Sequence, residues 1–171
     1  PFEARLTEDD VYCGAKLACL EMIKSGTTFF ADMYWHWKGT ARAVEEMGLR
    51  AALSAAFFDF DDPARARAMK QQVMDLHALS ASSSDRIQFI LGPHAIYTVS
   101  EDSLRWLREY AHRHGLLVHL HLSETKKEVD DCIARHGRRP VEYLNDLGLL
   151  APNLILVHAV WMTGGDVALL A

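Results

Sequence analysis

What this sequence lacks removes several classes of protein before any motif is considered. It has three cysteines, Cys13, Cys19 and Cys132, spaced neither as CxxC nor as a disulfide framework. That pattern suits a reducing, cytoplasmic setting rather than a disulfide-stapled secreted fold. No apolar run approaches the ~18–20 residues of a membrane span, and no signal peptide is visible in the opening residues. No GxGxxG turn follows an early strand: Gly164-Gly165 comes after the last strand and lacks the spacing, and no GxxxxGK[ST] occurs. A clustered basic face is also missing. The formal net charge is −5, and the densest basic stretch, residues 135–139, reads as a solvated helix end. Neither nucleic acid nor a membrane surface is therefore an expected partner. The chain opens Pro1-Phe2-Glu3-Ala4-Arg5 without a methionine, which is expected of a segment from a longer protein.

What remains is an ordinary globular composition, 50% hydrophobic and 24% charged over 171 residues, sized for one domain. Helical patterns alternate with short apolar runs. Thr7-Glu8-Asp9-Asp10 marks a helix start that Gly26 ends, with Leu17, Leu20, Met22 and Ile23 supplying apolar faces. Strands are predicted over residues 27–33, 51–58, 87–91, 116–122 and 154–157. Helices are expected between them: up to Gly48, from Pro63 to about Ala78, from Ser100 to Gly115, and one or two before Gly148. Strands that read as continuous apolar runs are buried on both faces, which implies a parallel sheet. An open doubly wound sheet and a (β/α)₈ barrel both fit. Without a glycine-rich phosphate turn the barrel is favoured. A complete barrel needs about 250 residues, so five βα units correspond to a single-domain, central part of an α/β (β/α)₈ TIM barrel over residues 1–171.

Titratable side chains collect where those strands end. His94 follows Ile90-Leu91-Gly92-Pro93, His119 and His121 follow Leu116-Leu117-Val118, Glu124 lies three residues past His121, and His158 follows Leu154-Ile155-Leu156-Val157. In a parallel barrel these ends share one mouth, where active sites lie. Each could be a hydrogen-bonded structural residue alone, but the strand starts carry no such cluster. His121 reads as a metal ligand through a neutral imidazole. Glu124 is placed to move protons, His158 to orient a water, and His94 to bind substrate. His119, on the same strand face as His121, reads as its packed neighbour, and Asp32 as a turn or capping residue. His77, His112, His114 and His136 read as solvated, and His36 as undecided. Trp35, Trp37 and Trp161 follow strands on the mouth side. They could wall a pocket for a flat ring, with Trp37 the substrate-binding candidate, or simply cover the rim.

At these residues the sequence resembles a known group. The blocks from Gly92 to Ser100 (GPHAIYTVS), Val118 to Thr125 (VHLHLSET) and Val157 to Trp161 (VHAVW) are similar to consecutive blocks of the amidohydrolase superfamily. The nearest branch is that of methylthioadenosine/S-adenosylhomocysteine deaminases and related chlorohydrolases. Gly26-Thr27-Thr28 with Asp32-Met33-Tyr34 resembles that branch's second-strand region. The resemblance implies a metal-dependent hydrolase acting on C–N bonds, a deaminase releasing ammonia from an amino-substituted heterocycle of purine, pterin, pyrimidine or nucleoside type. It implies one divalent metal, zinc with iron or manganese as alternatives, held by His121. Glu124 becomes the proton shuttle that also contacts the substrate ring, His158 the stabiliser of the attacking hydroxide, and His94 a substrate-binding residue.

The family's first-strand HxH pair and eighth-strand Asp fall outside residues 1–171. The first- and last-strand segments are absent, and this segment alone is expected neither to hold metal tightly nor to turn over substrate. Tyr34-Trp35-His36-Trp37-Lys38 lacks the acid, and Ala55-Ala56-Phe57 the arginine, that the thiomethyl-nucleoside deaminases carry near these positions. Both departures argue against a ribosyl substrate and leave a free heterocycle of pterin, purine or pyrimidine type, or a chlorinated ring. Two other outcomes are weighed: a hydrolytic dechlorinase of the same fold, and a catalytically dead barrel serving as a binding or scaffold subunit. The expected partner is a small heterocyclic substrate, with homo-oligomerisation left open.

Overall fold

A computed structural model describes residues 2–171. The contacts divide the chain into two compact units, one comprising residues up to Ala56 with Gln71–Ile90, the other Phe57–Lys70 with Leu91–Ala171.

In the first unit, helix α1 (Glu8–Ser25) starts where the sequence predicts. The Thr7 hydroxyl accepts from the Asp10 amide at 3.2 Å, and the Asp10 carboxylate accepts from the Thr7 amide at 2.8 Å. This reciprocal box satisfies two of the helix's unpaired donors. Gly26 closes the helix in the left-handed region at φ 84°. Strand β1 (Phe29–Tyr34) pairs in parallel with β2 (Arg50–Phe57), and β2 with β3 (Ile87–Phe89), in the register Asp32↔Leu53 and Ala52↔Gln88. Helix α2 (Trp37–Met47) packs closely on α1, because Gly39 presents no side chain there. The apolar face expected of α1 is mostly uncovered: Leu17, Leu20 and Ile23 are exposed, and only Val11 and Cys19 are buried. Helix α3 (Pro63–Ser80) contributes residues to both units.

The second unit carries a two-residue strand β4 (Gly92–Pro93), β5 (Val118–Leu122) and β6 (Leu154–His158). Helix α4 (Glu101–His114) leads into β5, α5 (Lys126–His136) and α6 (Pro140–Asp146) join β5 to β6, and α7 (Gly164–Leu170) follows. Leu91 and Ala95 bridge to Val118 and His121 in parallel, and β5 pairs with β6 in parallel from Val118↔Leu154 to Leu122↔His158. These strands therefore end on one side, which brings their terminal residues together. Strand β5 alternates as Val-His-Leu-His-Leu. Leu120 and Leu122 are fully buried on one face, so His119 and His121 share the other. Ser100 and Thr125 cap α4 and α5, and Gly115 and Gly137 end them at positive φ.

Both units are α/β with parallel strands, as the apolar runs predict. The run expected over residues 87–91 ends as β3 at Phe89, with the short β4 following it at Gly92–Pro93, and the run from Leu116 enters the sheet only at Val118. Among the described residues no helix is long and apolar enough to cross a membrane.

Candidate active site

At the C-terminal end of β5 the backbone turns sharply: Ser123 sits at φ 51°, and the turn delivers Glu124. At the end of β6, His158 and Ala159 sit at φ 70° and 50°. Residues other than glycine occupy this region only when surrounding structure holds them there. Here the two turns hold each other. The Ala159 amide donates to the Leu122 carbonyl at 2.9 Å, and the Val160 and Trp161 amides donate to the Ser123 carbonyl at 3.1 and 2.8 Å. The result brings Glu124 Oε2 to 3.7 Å from His158 Nε2, both side chains partly open to solvent. That separation suits an ion pair and exceeds a hydrogen bond.

His121 stands in the same group. Its Nδ1 lies 2.7 Å from the carbonyl oxygen of His94. A carbonyl only accepts, so Nδ1 carries the proton and the Nε2 lone pair is left available. The His121 ring is 5.1 Å from the ring of His94 and stacks on that of His158 at 5.3 Å. His94 Nδ1 lies 2.9 Å from the Thr98 hydroxyl, which donates to the Ala95 carbonyl at 3.2 Å. With the hydroxyl proton so used, His94 donates from Nδ1 and keeps Nε2 as an acceptor. Burial, then the neighbouring His121, lowers the His94 imidazole below its usual range against an opposing pull from Glu124, which favours the neutral ring. Tyr97 meets His94 edge-on at 6.0 Å and is half exposed. Burial and the carboxylates of Glu128 and Glu124 push its phenol up, so it stays protonated.

The structure thus gathers four of the sequence's candidates, His94, His121, Glu124 and His158, in the second unit. Trp37 belongs to the first unit and corrects the expectation of a loop aromatic. It opens α2, is 5% exposed, donates its indole N–H to the Leu53 carbonyl at 3.2 Å and packs edge-on against Phe89. In this unit it is a core residue with its polar atom already engaged. His119 is buried beside His121, its ring 5.9 Å away, and its Nδ1 has no partner among the described residues. Burial pushes the Asp32 carboxyl up in the first unit, and His36 contacts the Leu6 carbonyl at 2.9 Å. Of the histidines read as solvated, His77 stacks on Phe89 and His136 on Tyr143, each half-buried, while His112 is exposed.

As to a metal, His121 fits as one ligand, with its distal nitrogen free and its proximal nitrogen anchored. Among the described residues no group of three or more His, Cys, Asp or Glu side chains could hold an ion.

Two residues that support the site escape a reading by strand ends. Glu128 is buried, and its two oxygens accept from the Ser123 amide at 2.8 Å and the Glu124 amide at 2.9 Å. Asp59, fully buried, accepts from the Ser100 amide and hydroxyl at 2.9 and 2.6 Å and from the Asp61 amide at 3.1 Å, tying residues 59–61 to the start of α4. The Thr125-x-x-Glu128 spacing was the one signal for the former, although a capping box would send the carboxylate to Thr125. The latter has no local signal.

Comparison with known proteins follows the same lines. The model of the amidohydrolase family matches residues 2–171. The 5'-deoxyadenosine deaminase of Methanoregula boonei is 47% identical over 99% of this chain and 39% of its own length. The 5-methylthioadenosine/S-adenosylhomocysteine deaminase of Thermococcus sibiricus is 44% identical over 100% of this chain and 41% of its own. Among solved structures, an adenosine deaminase from Xanthomonas campestris with bound zinc superposes with a TM-score of 0.88 at 30% identity, covering 97% of this chain and 38% of that one. The chain thus spans about two-fifths of the length of the relatives it matches.

Proposed function

Because this chain belongs to the amidohydrolase family, we propose that it is the central segment of a (β/α)₈ barrel whose complete protein hydrolytically deaminates an adenine nucleoside modified at the 5' position. The observation that carries this reading is the 3.7 Å approach of Glu124 to His158 beside a His121 whose Nε2 is free. Residues 34–38 and 55–57 argue against a ribosyl substrate, but the relatives' names support a nucleoside of 5'-deoxyadenosine type, and that is the reading taken.

The reaction adds water to the carbon bearing the amino group: a C–O bond forms, the C–N bond breaks, and ammonia leaves. A divalent metal bound here, zinc in the first instance, would supply the Lewis acidity that makes water nucleophilic near neutral pH. His121 would hold it through Nε2, together with ligands from outside this segment. Glu124 takes one proton of the attacking water to the ring nitrogen, and then moves the proton of the newly added hydroxyl to the amine, which leaves as ammonia while the C=O forms. His158, in contact with Glu124, holds the water in line. His94 keeps a neutral ring with Nε2 toward the substrate as an acceptor. A departing amine needs a proton and a departing chloride does not, so the placement of Glu124 supports deamination over dechlorination.

Metal analysis of the complete protein tests the reading. The parent should carry about one metal ion per chain, and His121→Ala should lose most of it. A His121→Ala protein with undiminished metal would remove His121 from the ligand set.

A further inference from the structure

We infer that Glu128 is the positioning residue for Glu124, holding the turn at Ser123 in the left-handed conformation that directs Glu124 toward His158. The inference rests on the deaminase reading and adds to it a residue whose carboxylate accepts from two backbone amides.

The spacing Thr125-Lys126-Lys127-Glu128 is that of a capping box, in which the acid returns to the amide of the capping residue. Glu128 reaches further. The Thr125 hydroxyl caps the Glu128 amide at 3.1 Å, while the Glu128 carboxylate passes Thr125 and grips the Ser123 and Glu124 amides. It does so buried, 6% exposed. Burying a carboxylate is costly, and an acid in a helix's first turn acts as well from the surface, so capping alone gives no reason for this placement. Both oxygens are used. Glutamine offers one acceptor and turns an N–H toward the second amide, and aspartate is one methylene short.

Ser123 is what the grip restrains. At φ 51° a serine is strained, and its buried hydroxyl has no partner among the described residues, so its side chain does nothing polar to hold it there. The restraint comes from Glu128 on the Ser123 amide and from Val160 and Trp161 on its carbonyl. Glu124 is the next residue, and the backbone angles of Ser123 set where it points. Without Glu128 the turn relaxes toward negative φ, and Glu124 leaves His158 with its own chemistry intact.

The test uses the complete, metal-loaded protein and four variants: Glu128→Gln, Ser123→Gly, the double variant, and Glu124→Gln as reference. Glu128→Gln should lower kcat by about tenfold to a hundredfold per folded molecule while KM stays within about twofold and metal content is unchanged. In metal-free protein, amide exchange over residues 119–125 should quicken, with the body of α5 past Val129 unaltered. Ser123→Gly placed in Glu128→Gln should recover a substantial part of kcat, because glycine takes positive φ without strain. A Glu128→Gln enzyme with parental kcat overturns the inference. So does a loss that tracks only the unfolded fraction and that Ser123→Gly does not relieve, which would make Glu128 a structural residue. If Glu124→Gln itself turns over like the parent, the deaminase reading falls. If Glu124→Gln is inactive and Glu128→Gln is parental, only the role of Glu128 falls.

Discussion

The Glu124 carboxylate stands 3.7 Å from His158 Nε2 across two adjacent parallel strands, and each of the two strands ends in a left-handed turn. The two turns are tied together by the Ala159, Val160 and Trp161 amides, which donate to the Leu122 and Ser123 carbonyls. The proton transfer assigned to Glu124 therefore depends on backbone geometry as much as on residue type. Glu124→Gln in the complete protein keeps the shape of the pair and removes the proton acceptor. It should retain its metal and lose about 10²–10⁴-fold in kcat, measured by steady-state kinetics alongside elemental analysis. Turnover close to that of the parent would take the proton shuttle away from Glu124.

How much of this was legible in the sequence differs from element to element. Helix ends at Thr7, Gly26, Ser100 and Gly115 follow from local demands, a side-chain acceptor for a free amide or a residue that tolerates positive φ, and the structure has them as read. The titratable residues at strand ends could be found because parallel strands that end on one side must gather them. The approach of Glu124 to His158 could not, because it depends on positive φ at Ser123, His158 and Ala159, residue types that carry no such signal. Trp37 stayed between two readings because an indole after a strand can turn either way. The Leu53 carbonyl and the Phe89 ring that decide it lie 16 and 52 residues further along.

Gly39 gives a prediction in the first unit. A Cβ there would lie 2.5 Å from the Glu8 carbonyl oxygen and 3.1 Å from the Tyr12 amide nitrogen. Both are backbone atoms of α1, so no side chain can swing aside and α1 must move. Gly39→Ala should destabilise the protein by about 1–3 kcal/mol despite alanine's better helix propensity. Denaturant unfolding of parent and variant measures it, and a Gly39→Ala protein as stable as the parent would show that the two helices separate freely.

Asp59 sets a dependence on pH. Burial pushes its carboxyl up, but hydrogen bonds from Ser100 and Asp61 outweigh that and leave it below the usual carboxylate range. A carboxyl lowered by folding contributes stability above its unfolded value, near 4, and that contribution is lost as pH falls through the folded value. Asp59→Asn should cost about 1–3 kcal/mol at pH 7. The gap from the parent should narrow below about pH 4. Thermal melts of both proteins between pH 3 and pH 7 follow the gap, and a gap constant across that range would contradict the assignment.

The central claim is the deamination itself, and the most direct measurement is ammonia release from 5'-deoxyadenosine by the complete, zinc-loaded protein, with adenine and a chlorotriazine run in parallel. The account predicts stoichiometric ammonia and the matching hypoxanthine nucleoside from 5'-deoxyadenosine, abolished in Glu124→Gln, with little turnover of the other two. Chloride release from the triazine with no ammonia from either adenine compound would contradict it.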